Sequence, residues 1–100
     1  MKRVRFHEAA RDELVRETLY YRSIHAGLAE RFASAIEQAA RLAAEFPAMG
    51  SPYKYGTRRC FAKTFPFALV YVERRDEVYV IAVAHDRRKP GFWRARIGEG

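Results

Sequence analysis

Residues 67–96 read FALVYVERRDEVYVIAVAHDRRKPGFWRAR, and this stretch decides the fold. The run at 78–85 is dominated by β-branched and aromatic residues, which suit a pleated surface buried on at least one side. The continuous apolar run at 67–72 precedes it, and the polar turn at 73–77 joins the two. The pattern predicts two paired strands, of which the second delivers a histidine, a basic cluster, a proline and a tryptophan to a solvent edge.

Upstream of this pair, the period of the apolar residues changes from two to a helical value. Val4 and Phe6 alternate with arginines, which predicts a short first strand. From Glu8 the apolar residues recur at near-helical intervals, at Ala10, Leu14, Tyr21 and Ile24. Acidic residues lie early in this segment, where the helix dipole favours negative charge: Glu8, Asp12 and Glu13. The sequence around His25 and Gly27 predicts the end of this helix.

A second helical pattern follows at once. Its apolar residues are spaced by three or four positions and form one stripe: Leu28, Phe32, Ile36, Ala39, Ala43 and Phe46. Pro47 ends the helix, because the residue before a proline is pushed out of the helical region. Two amphipathic helices joined by a few residues predict an antiparallel hairpin, which buries both stripes only against another layer.

The second half of the sequence supplies that layer. Residues 48–57, AMGSPYKYGT, predict a surface loop, and residues 59–63 predict a strand that ends in a turn at Phe65 and Pro66. The two strands of the opening stretch follow, and the first of them is expected to be the middle strand of the meander and the most completely buried. The order predicts one α+β domain over residues 1–100. A two-helix hairpin packs on a twisted, mainly antiparallel sheet, with a short C-terminal helix or tail.

Composition and charge limit the functions that the protein can have. The 100 residues are 49% hydrophobic, enough for one compact core. Residues 1–50 carry 8 Lys and Arg against 7 Asp and Glu, and residues 51–100 carry 11 against 5, so net charges of +1 and +6 make up the formal +7. A field of this sign attracts phosphates, an acidic protein or an anionic surface.

Several kinds of protein are disfavoured by what the sequence lacks. A single cysteine, Cys60, cannot form an internal disulfide and is interpreted as a small buried apolar group. No apolar run approaches the ~20 residues of a membrane span and no secretory signal follows the basic start, so we expect a cytoplasmic protein. The histidines lie apart, without the Cys/His spacing of a zinc site, and neither a metal nor another cofactor is expected.

His85 is the candidate for proton transfer, because it stands at a strand end beside a basic cluster. The structural alternative is that its imidazole caps the strand or holds Asp86, and the isolation of this histidine favours that alternative. Trp93 follows Pro90 and Gly91, where a turn folds it back over the sheet, and core packing is its favoured role.

Arginines and lysines form two clusters that lie close to the strand ends. They are Arg58, Arg59 and Lys63 in the first, and Arg87, Arg88, Lys89, Arg94 and Arg96 in the second. If both converge on one face of the sheet, that face binds anions, because arginine suits bidentate contacts to carboxylate or phosphate. The alternative is a solvated charged face, which is favoured for Arg74 and Arg75. Tyr53 and Tyr55 lie beside basic residues in the long loop and stack either on nucleic-acid bases or on the protein itself.

Common catalytic motifs are missing from the sequence. No glycine-rich phosphate loop, Gly-flanked serine nucleophile or recognisable carboxylate pair is present, so any catalysis would use Arg, Lys, His and Tyr without a metal. Cleavage of RNA through its own 2′-hydroxyl is a reaction that meets those terms.

Three blocks of sequence carry a resemblance to a known family. They are YYRSIHAGLAERF at 20–32, RRCFAKTFPFALVYVE at 58–73 and VIAVAHDRRKPGFWRAR at 80–96. Together they resemble the RelE/ParE superfamily, the toxins of type II toxin-antitoxin systems, which include proteins described as plasmid stabilization factors. The closing block, with His85, Arg88, Pro90 and Trp93, is more similar to the ParE branch than to the mRNA-cleaving RelE branch.

The resemblance implies a toxin held inactive by an acidic antitoxin that wraps it as helix and extended chain. A ParE-type member poisons DNA gyrase without hydrolytic activity, and its surface for target or antitoxin would comprise Arg58, Arg59, His85, Arg87, Arg88 and Trp93. The alternative is a RelE-type ribosome-dependent mRNA endoribonuclease, with His85, Arg88, Arg59 and Lys63 as the catalytic candidates. No tyrosine follows Trp93, a departure from the nuclease pattern that favours the ParE type. A third hypothesis, from the basic face and the tyrosines alone, is a non-toxic RNA-binding module.

Overall fold

The computed structural model describes residues 1–99. Its helices and strands follow one another as β1 (Arg3–Phe6), α1 (Glu8–Ile24), α2 (Ala26–Glu45), β2 (Ser51–Pro52), β3 (Arg58–Phe61), β4 (Phe67–Glu73) and β5 (Glu77–His85). Short 3-10 turns lie at Pro47–Met49, Lys54–Gly56 and Arg94–Gly98. Residues 86–99 form the C-terminal segment. The predicted α+β order, with the strand first and the two helices next, is confirmed.

The five strands form one sheet in the order β1-β5-β4-β3-β2. β4 is the middle strand of the antiparallel meander, as predicted, and β1 pairs with β5 in parallel. The prediction that β4 is buried more completely than its neighbours holds against β3 but is wrong for β5, because the two cores cover both faces of β5 as well. The run Val78–Val83 is buried without a break, like Phe67–Tyr71 in β4.

The two helices differ in how much of their length they bury. α2 buries the predicted stripe at Phe32, Ile36, Ala39 and Ala43, whereas Phe46, the last predicted member, lies after the helix and is 48% exposed. In α1 the packed stripe ends at Tyr21, whose ring contacts Phe32 and Phe65. Ile24, which was predicted to belong to it, is 58% exposed in the last turn.

Both faces of the sheet are covered. The helices pack on one face, around a core of large buried side chains: Phe32, Ile36, Leu69, Tyr71, Val78 and Val80. The C-terminal segment packs on the other face, where Trp93 joins Val70, Tyr79, Ile81 and Ala82. Side chains along β4 and β5 point alternately to the two faces of the sheet, so each residue contributes to the core on the face that its side chain points to.

The loop predicted at 48–57 is partly ordered by pairing. β2 lies antiparallel to β3, with Ser51 opposite Arg59. The strand predicted at 59–63 begins one residue earlier and ends at Phe61, because the chain turns at Thr64, which has a left-handed φ of 68°. The backbone N–H of Ala62 donates to the carbonyl of Phe67 at 2.9 Å and closes this turn.

Candidate functional site

Alternation along β3 decides which of the predicted arginines reach the candidate site. Successive residues of a strand face opposite sides of the sheet. Arg58 lies opposite Tyr71, and its Nη1 donates to the carbonyl oxygen of Gly50 at 2.7 Å. Arg59 lies opposite Val70 and faces the side that the C-terminal segment covers. The sheet thus separates the side chain of Arg58 from that of Arg59.

A cavity of about 280 Å³ lies on the side that Arg59 faces, and it is the basic cavity of the following paragraphs. Its basic groups come from β3, from the end of β5 and from the C-terminal segment: Arg59, His85, Arg88 and Lys89. Its apolar walls carry most of the large rings nearby: Tyr53, Phe61, Phe65, Phe67, Phe92 and Trp93. Positive charge beside apolar surface suits an anionic group carried on an apolar body.

The two arginines of the basic cavity lie against aromatic rings. Cζ of Arg59 is 3.8 Å from the ring centroid of Tyr53 and 5.0 Å from that of Phe61. Cζ of Arg88 is 3.9 Å from the ring centroid of Phe92. Such contacts hold the guanidinium planes and leave N–H edges to bind an anion.

Asp86 is the one carboxylate that lines the basic cavity in the described chain, and it lies against His85. Within residues 1–99, no carboxylate forms an ion pair with Arg59, Arg88 or Lys89. In the same residues, Nε of Arg59 is buried without a hydrogen-bond partner. Buried donors are nearly always paired in folded proteins, so this Nε–H is an exception in the described chain.

His85 is fixed by the backbone at the mouth of the basic cavity. Its Nδ1 accepts the backbone N–H of Arg87 at 3.0 Å, and its ring meets that of Phe67 edge-on, with 4.9 Å between centroids. Oδ1 of Asp86 lies 3.1 Å from the same nitrogen. Because Nδ1 contacts both the Arg87 N–H and the Asp86 carboxylate, Nε2 is the ring nitrogen left for a ligand. This geometry is that of the structural alternative, in which the imidazole caps the strand.

Trp93 supports the cavity from behind. Its side chain is 1% exposed, and its ring centroid lies 5.8 Å from that of Tyr53 and 6.0 Å from that of Tyr55. Gly91 has a left-handed φ of 88°, which turns the chain so that the indole folds onto the sheet. Trp93 therefore contributes buried area, as the sequence indicated, and shapes the wall that Tyr53 and Arg59 share.

Two predicted residues lie elsewhere. Arg87 is exposed and borders a shallow depression beside Arg16 and Glu17 of α1. Lys63 is exposed in the turn after β3 and borders a depression lined by α2. The basic cavity thus brings together Arg59, His85, Arg88 and Trp93 from the predicted binding set, without Arg58 and Arg87. It brings together three of the four nuclease candidates, without Lys63.

A buried ion pair between Glu13 and Arg96 was missed by sequence reasoning. Oε1 and Oε2 of Glu13 accept from Nη1 and Nη2 of Arg96 at 3.0 and 2.9 Å, and Glu13 is 5% exposed. Oε1 also accepts the N–H of Val83 at 3.0 Å, while Arg96 donates to the carbonyl of Ile81 at 3.0 Å. The pair occupies the edge of β5 beyond the end of β1 and ties the C-terminal segment to α1. The sequence did contain a signal for this burial. Glu13 lies three residues after Ala10, which places it on the apolar face of α1.

An apolar groove between the helices was also missed. The groove has a volume of about 630 Å³, and α1, α2 and β1 line it with Leu14, Val15, Leu19, Ile36, Ala40, Val4 and Phe6 among others. Val15 and Leu19 are 52% and 57% exposed, which is high for large apolar side chains. Their spacing of four residues beside the packed stripe of α1 was the signal that could have revealed a second apolar face. Large apolar side chains exposed together in one groove are a common feature of interaction surfaces.

Metal ligands and membrane spans were searched for over the same part of the chain. Among residues 1–99 there is no group of three or more His, Cys, Asp or Glu side chains that could hold a metal ion. Neither helix described for these residues is long and apolar enough to cross a bilayer.

The fold is shared with a solved toxin-antitoxin structure. A chain of the structure described as "Chromosomal ParDE TA system from P. aeruginosa" superposes with a TM-score of 0.70 at 14% sequence identity, covering 85% of this chain and 96% of that one. At that identity the likeness shows the fold alone. No curated protein matches the sequence at a significant level.

The sequence itself places the protein within this class of toxins. The family model of the ParE toxin of type II toxin-antitoxin systems, parDE, matches residues 4–90. The chain therefore belongs to the ParE toxin family. The resemblance that the three sequence blocks indicated is confirmed, and membership implies an antitoxin as partner.

Proposed function

We propose that the protein inhibits growth by acting on DNA gyrase and is neutralised by an antitoxin, both in the cytoplasm. The observation that carries this proposal is the match of the ParE toxin family over residues 4–90, which includes the end of β5 and the start of the C-terminal segment. The resemblance of the closing block to the ParE branch supports gyrase as the target.

The basic cavity is the part of the surface best suited to engage the target. Arg59, Arg88 and Lys89 carry positive charge without a carboxylate partner in residues 1–99, so an acidic surface gains their attraction without breaking an internal ion pair. Arg87 extends the positive charge outside the cavity. We therefore assign Arg59, His85, Arg87 and Arg88 to target contact, and Trp93 to support of the cavity wall.

The apolar groove supports neutralisation by an antitoxin. The resemblance implies a partner that wraps the toxin partly as a helix, and an amphipathic helix buries its apolar face in a groove of this kind. A volume of about 630 Å³ accepts several large side chains. The formal charge of +7 attracts an acidic partner over a distance, which favours fast association.

RelE-type cleavage of mRNA is the second candidate function. One observation favours it, because Arg59, His85 and Arg88 line the same cavity. The fourth candidate, Lys63, lies beside α2 on the other side of the sheet, so the full set does not converge. The RNA-binding module is disfavoured, since the ring of Tyr53 is covered by Arg59 and that of Tyr55 lies 4.4 Å from Cζ of Arg94.

Inducible expression in a bacterial host tests the proposal. Growth is expected to stop, plasmid DNA is expected to lose negative supercoiling, and co-expression of the neighbouring antitoxin gene is expected to restore both. Cleavage of mRNA at defined codons with unchanged supercoiling would show the nuclease function instead. Normal growth at a soluble expression level equal to that of a harmless control protein would contradict toxicity itself.

A further inference from the structure

The exposed side of α1 carries an apolar stripe between two charges of opposite sign. Val15 and Leu19 lie four residues apart on one face of the helix, and each is more than half exposed. Asp12 lies three residues before Val15, and Arg22 lies three residues after Leu19, which places both charges on the same face. Both are exposed, and among residues 1–99 neither forms an ion pair. This face of α1 therefore has an acidic end, an apolar middle and a basic end.

The apolar groove lies beside this stripe and has the form of a receptor for a helix. Val15 and Leu19 belong to its α1 wall, and α2 contributes the short side chains of Ala33 and Ala40 to the other wall. Short side chains on one wall leave room for the larger side chains of another helix. The stripe and the groove thus lie next to each other on one molecule, as a ridge beside a hollow.

The groove is nearly neutral, although the protein carries a formal charge of +7. The charged side chains that line it are those of Glu37 and Arg41, and they form an ion pair with each other at 3.2 Å. A phosphate backbone gains no attraction from such a lining. Two copies of a positively charged protein approach each other with the least repulsion at a neutral surface, so the charge distribution favours a second copy of this chain.

Two copies of the α1 face are complementary when they run antiparallel. A two-fold axis midway between Val15 and Leu19 sets each of these residues opposite the other residue of the second copy. The same register sets Asp12 opposite Arg22 of the second copy, and the symmetry repeats this pair. A parallel arrangement would instead set like charges against each other. The order of charges along α1 therefore selects the antiparallel dimer.

We infer that the free protein forms a two-fold dimer, in which Val15 and Leu19 of each copy pack into the apolar groove of the other and Asp12 pairs with Arg22. The inference goes beyond the proposed function, since the dimer needs neither gyrase nor an antitoxin. Two exposed turns of helix on each copy make an interface below the ~1,200 Å² of stable complexes, so we expect association in the micromolar range. Under the proposed function, an antitoxin helix in the same groove would displace the second copy.

Sedimentation equilibrium of the purified free protein, from micromolar to millimolar concentration, measures the association. The wild type is expected to pass from 11.6 kDa to twice that mass as the concentration rises. Leu19→Lys is expected to weaken the association about tenfold or more, because it places a charge in the apolar contact. Ile24→Lys is the matched control. Ile24 is as exposed as Leu19, at 58% against 57%, but does not line the groove, so this variant is expected to associate like the wild type.

A charge reversal tests the antiparallel register. Asp12→Arg sets two arginines against each other in both symmetry-related contacts, and it is expected to weaken the association about fivefold. The double variant Asp12→Arg/Arg22→Asp restores opposite signs in both contacts and is expected to associate like the wild type. Glu30→Arg, an exposed change on α2 outside the groove with the same change in net charge as Asp12→Arg, is expected to have no effect.

Each part of the inference can be contradicted separately. A single 11.6 kDa species at every concentration would show that no second copy enters the groove, which would then serve the antitoxin alone. A dimer that Leu19→Lys leaves intact would place the contact elsewhere on the molecule. A double variant as weakly associated as Asp12→Arg alone would contradict the pairing of Asp12 with Arg22. None of these measurements involves gyrase or an antitoxin, so the proposed function can fail while the dimer forms as inferred.

Discussion

At the scale of single residues, contacts between one side chain and a backbone segment hold the irregular parts of the fold. The hydroxyl of Tyr71 is buried under the chain that leaves α2. It donates to the carbonyl of Pro47 at 2.7 Å and accepts the N–H of Gly50 at 3.2 Å. One phenol thus fixes the turn that leads into β2, next to the Arg58 contact with the carbonyl of Gly50.

Gly50→Ala is expected to destabilise the protein by about 2 to 3 kcal/mol, because overpacking and a disturbed buried hydrogen bond act together. A Cβ at position 50 would lie 2.2 Å from the hydroxyl oxygen of Tyr71, which must then move away from Pro47. Urea unfolding measures the change. Gly98→Ala is the matched control, since a Cβ there meets nothing within 4 Å. Equal midpoints for the two variants would contradict this account of Tyr71.

The histidines show how far sequence could predict single residues. Their separation in the sequence led us to expect no zinc site, but their shared role was not visible. Nδ1 of His7, His25 and His85 each accepts the backbone N–H two residues further on, at 2.9 to 3.0 Å. This depends on backbone angles at each position and not on residue type alone. Glu13 was likewise interpreted from its place in the first turns of α1, whereas tertiary packing buries it against Arg96.

At the scale of elements, the C-terminal segment is attached to the rest of the domain by polar contacts at the β5 edge as well as by Trp93. Glu13 and Arg96 satisfy the N–H of Val83 and the carbonyl of Ile81, which no strand covers. Without that ion pair, two backbone groups and two charges would lose their partners.

Arg96→Gln is therefore expected to cost about 3 kcal/mol of unfolding free energy, as for other broken buried ion pairs. Amide exchange in residues 92–99 is expected to speed up more than exchange in β4. Arg41→Gln is the control, because the Arg41–Glu37 pair on α2 is exposed and contributes under about 0.5 kcal/mol. If Arg96→Gln lost as little unfolding free energy as Arg41→Gln, the Glu13–Arg96 pair would not be what holds the C-terminal segment.

An ion pair between β1 and β5 is expected to make the folding stability depend on pH. Arg5 donates to both carboxylate oxygens of Glu77, at 3.0 and 2.8 Å, and this hydrogen bonding lowers the pKa of Glu77 below its ordinary value of 4.5. A lowered pKa stabilises the folded state above the ordinary value, and this contribution disappears as the pH falls through the folded value. The stability difference between wild type and Glu77→Gln is thus expected to be full at pH 7 and to shrink progressively as the pH falls below 4.5. Glu30→Gln, an exposed change on α2, is expected to show no such trend, and a constant Glu77→Gln difference would contradict the assignment.

The elements were more predictable than their arrangement. The four-four-three-four-three spacing in α2 gave its buried stripe, and Pro47 gave its end, because both signals are local. The parallel contact of β1 with β5 joins residues more than 70 positions apart and has no local signal. The alternation of β3 showed that only one of Arg58 and Arg59 could face a given side, but the choice depends on the register with β4.

At the scale of the whole molecule, two surfaces of different chemistry lie on opposite faces of the sheet. The apolar groove belongs to the helix side, and the basic cavity belongs to the side of the C-terminal segment. A partner that covers both must pass around an edge of the sheet. In the proposed function the target engages the basic cavity and the antitoxin engages the apolar groove, so the two surfaces would serve different partners.

Supercoiling of relaxed plasmid by purified gyrase, titrated with the purified protein, tests most directly whether the basic cavity of this ParE-family toxin engages gyrase. The wild type is expected to inhibit, and the Arg59→Gln/Arg88→Gln double variant is expected to need about tenfold more protein or greater, since charged anchors in a pocket dominate interface energies. An Arg11→Gln/Arg22→Gln control, with the same loss of charge on the exposed side of α1, is expected to inhibit like the wild type. Uninhibited supercoiling with wild-type protein that arrests growth, or equal inhibition by the cavity double variant, would contradict the claim.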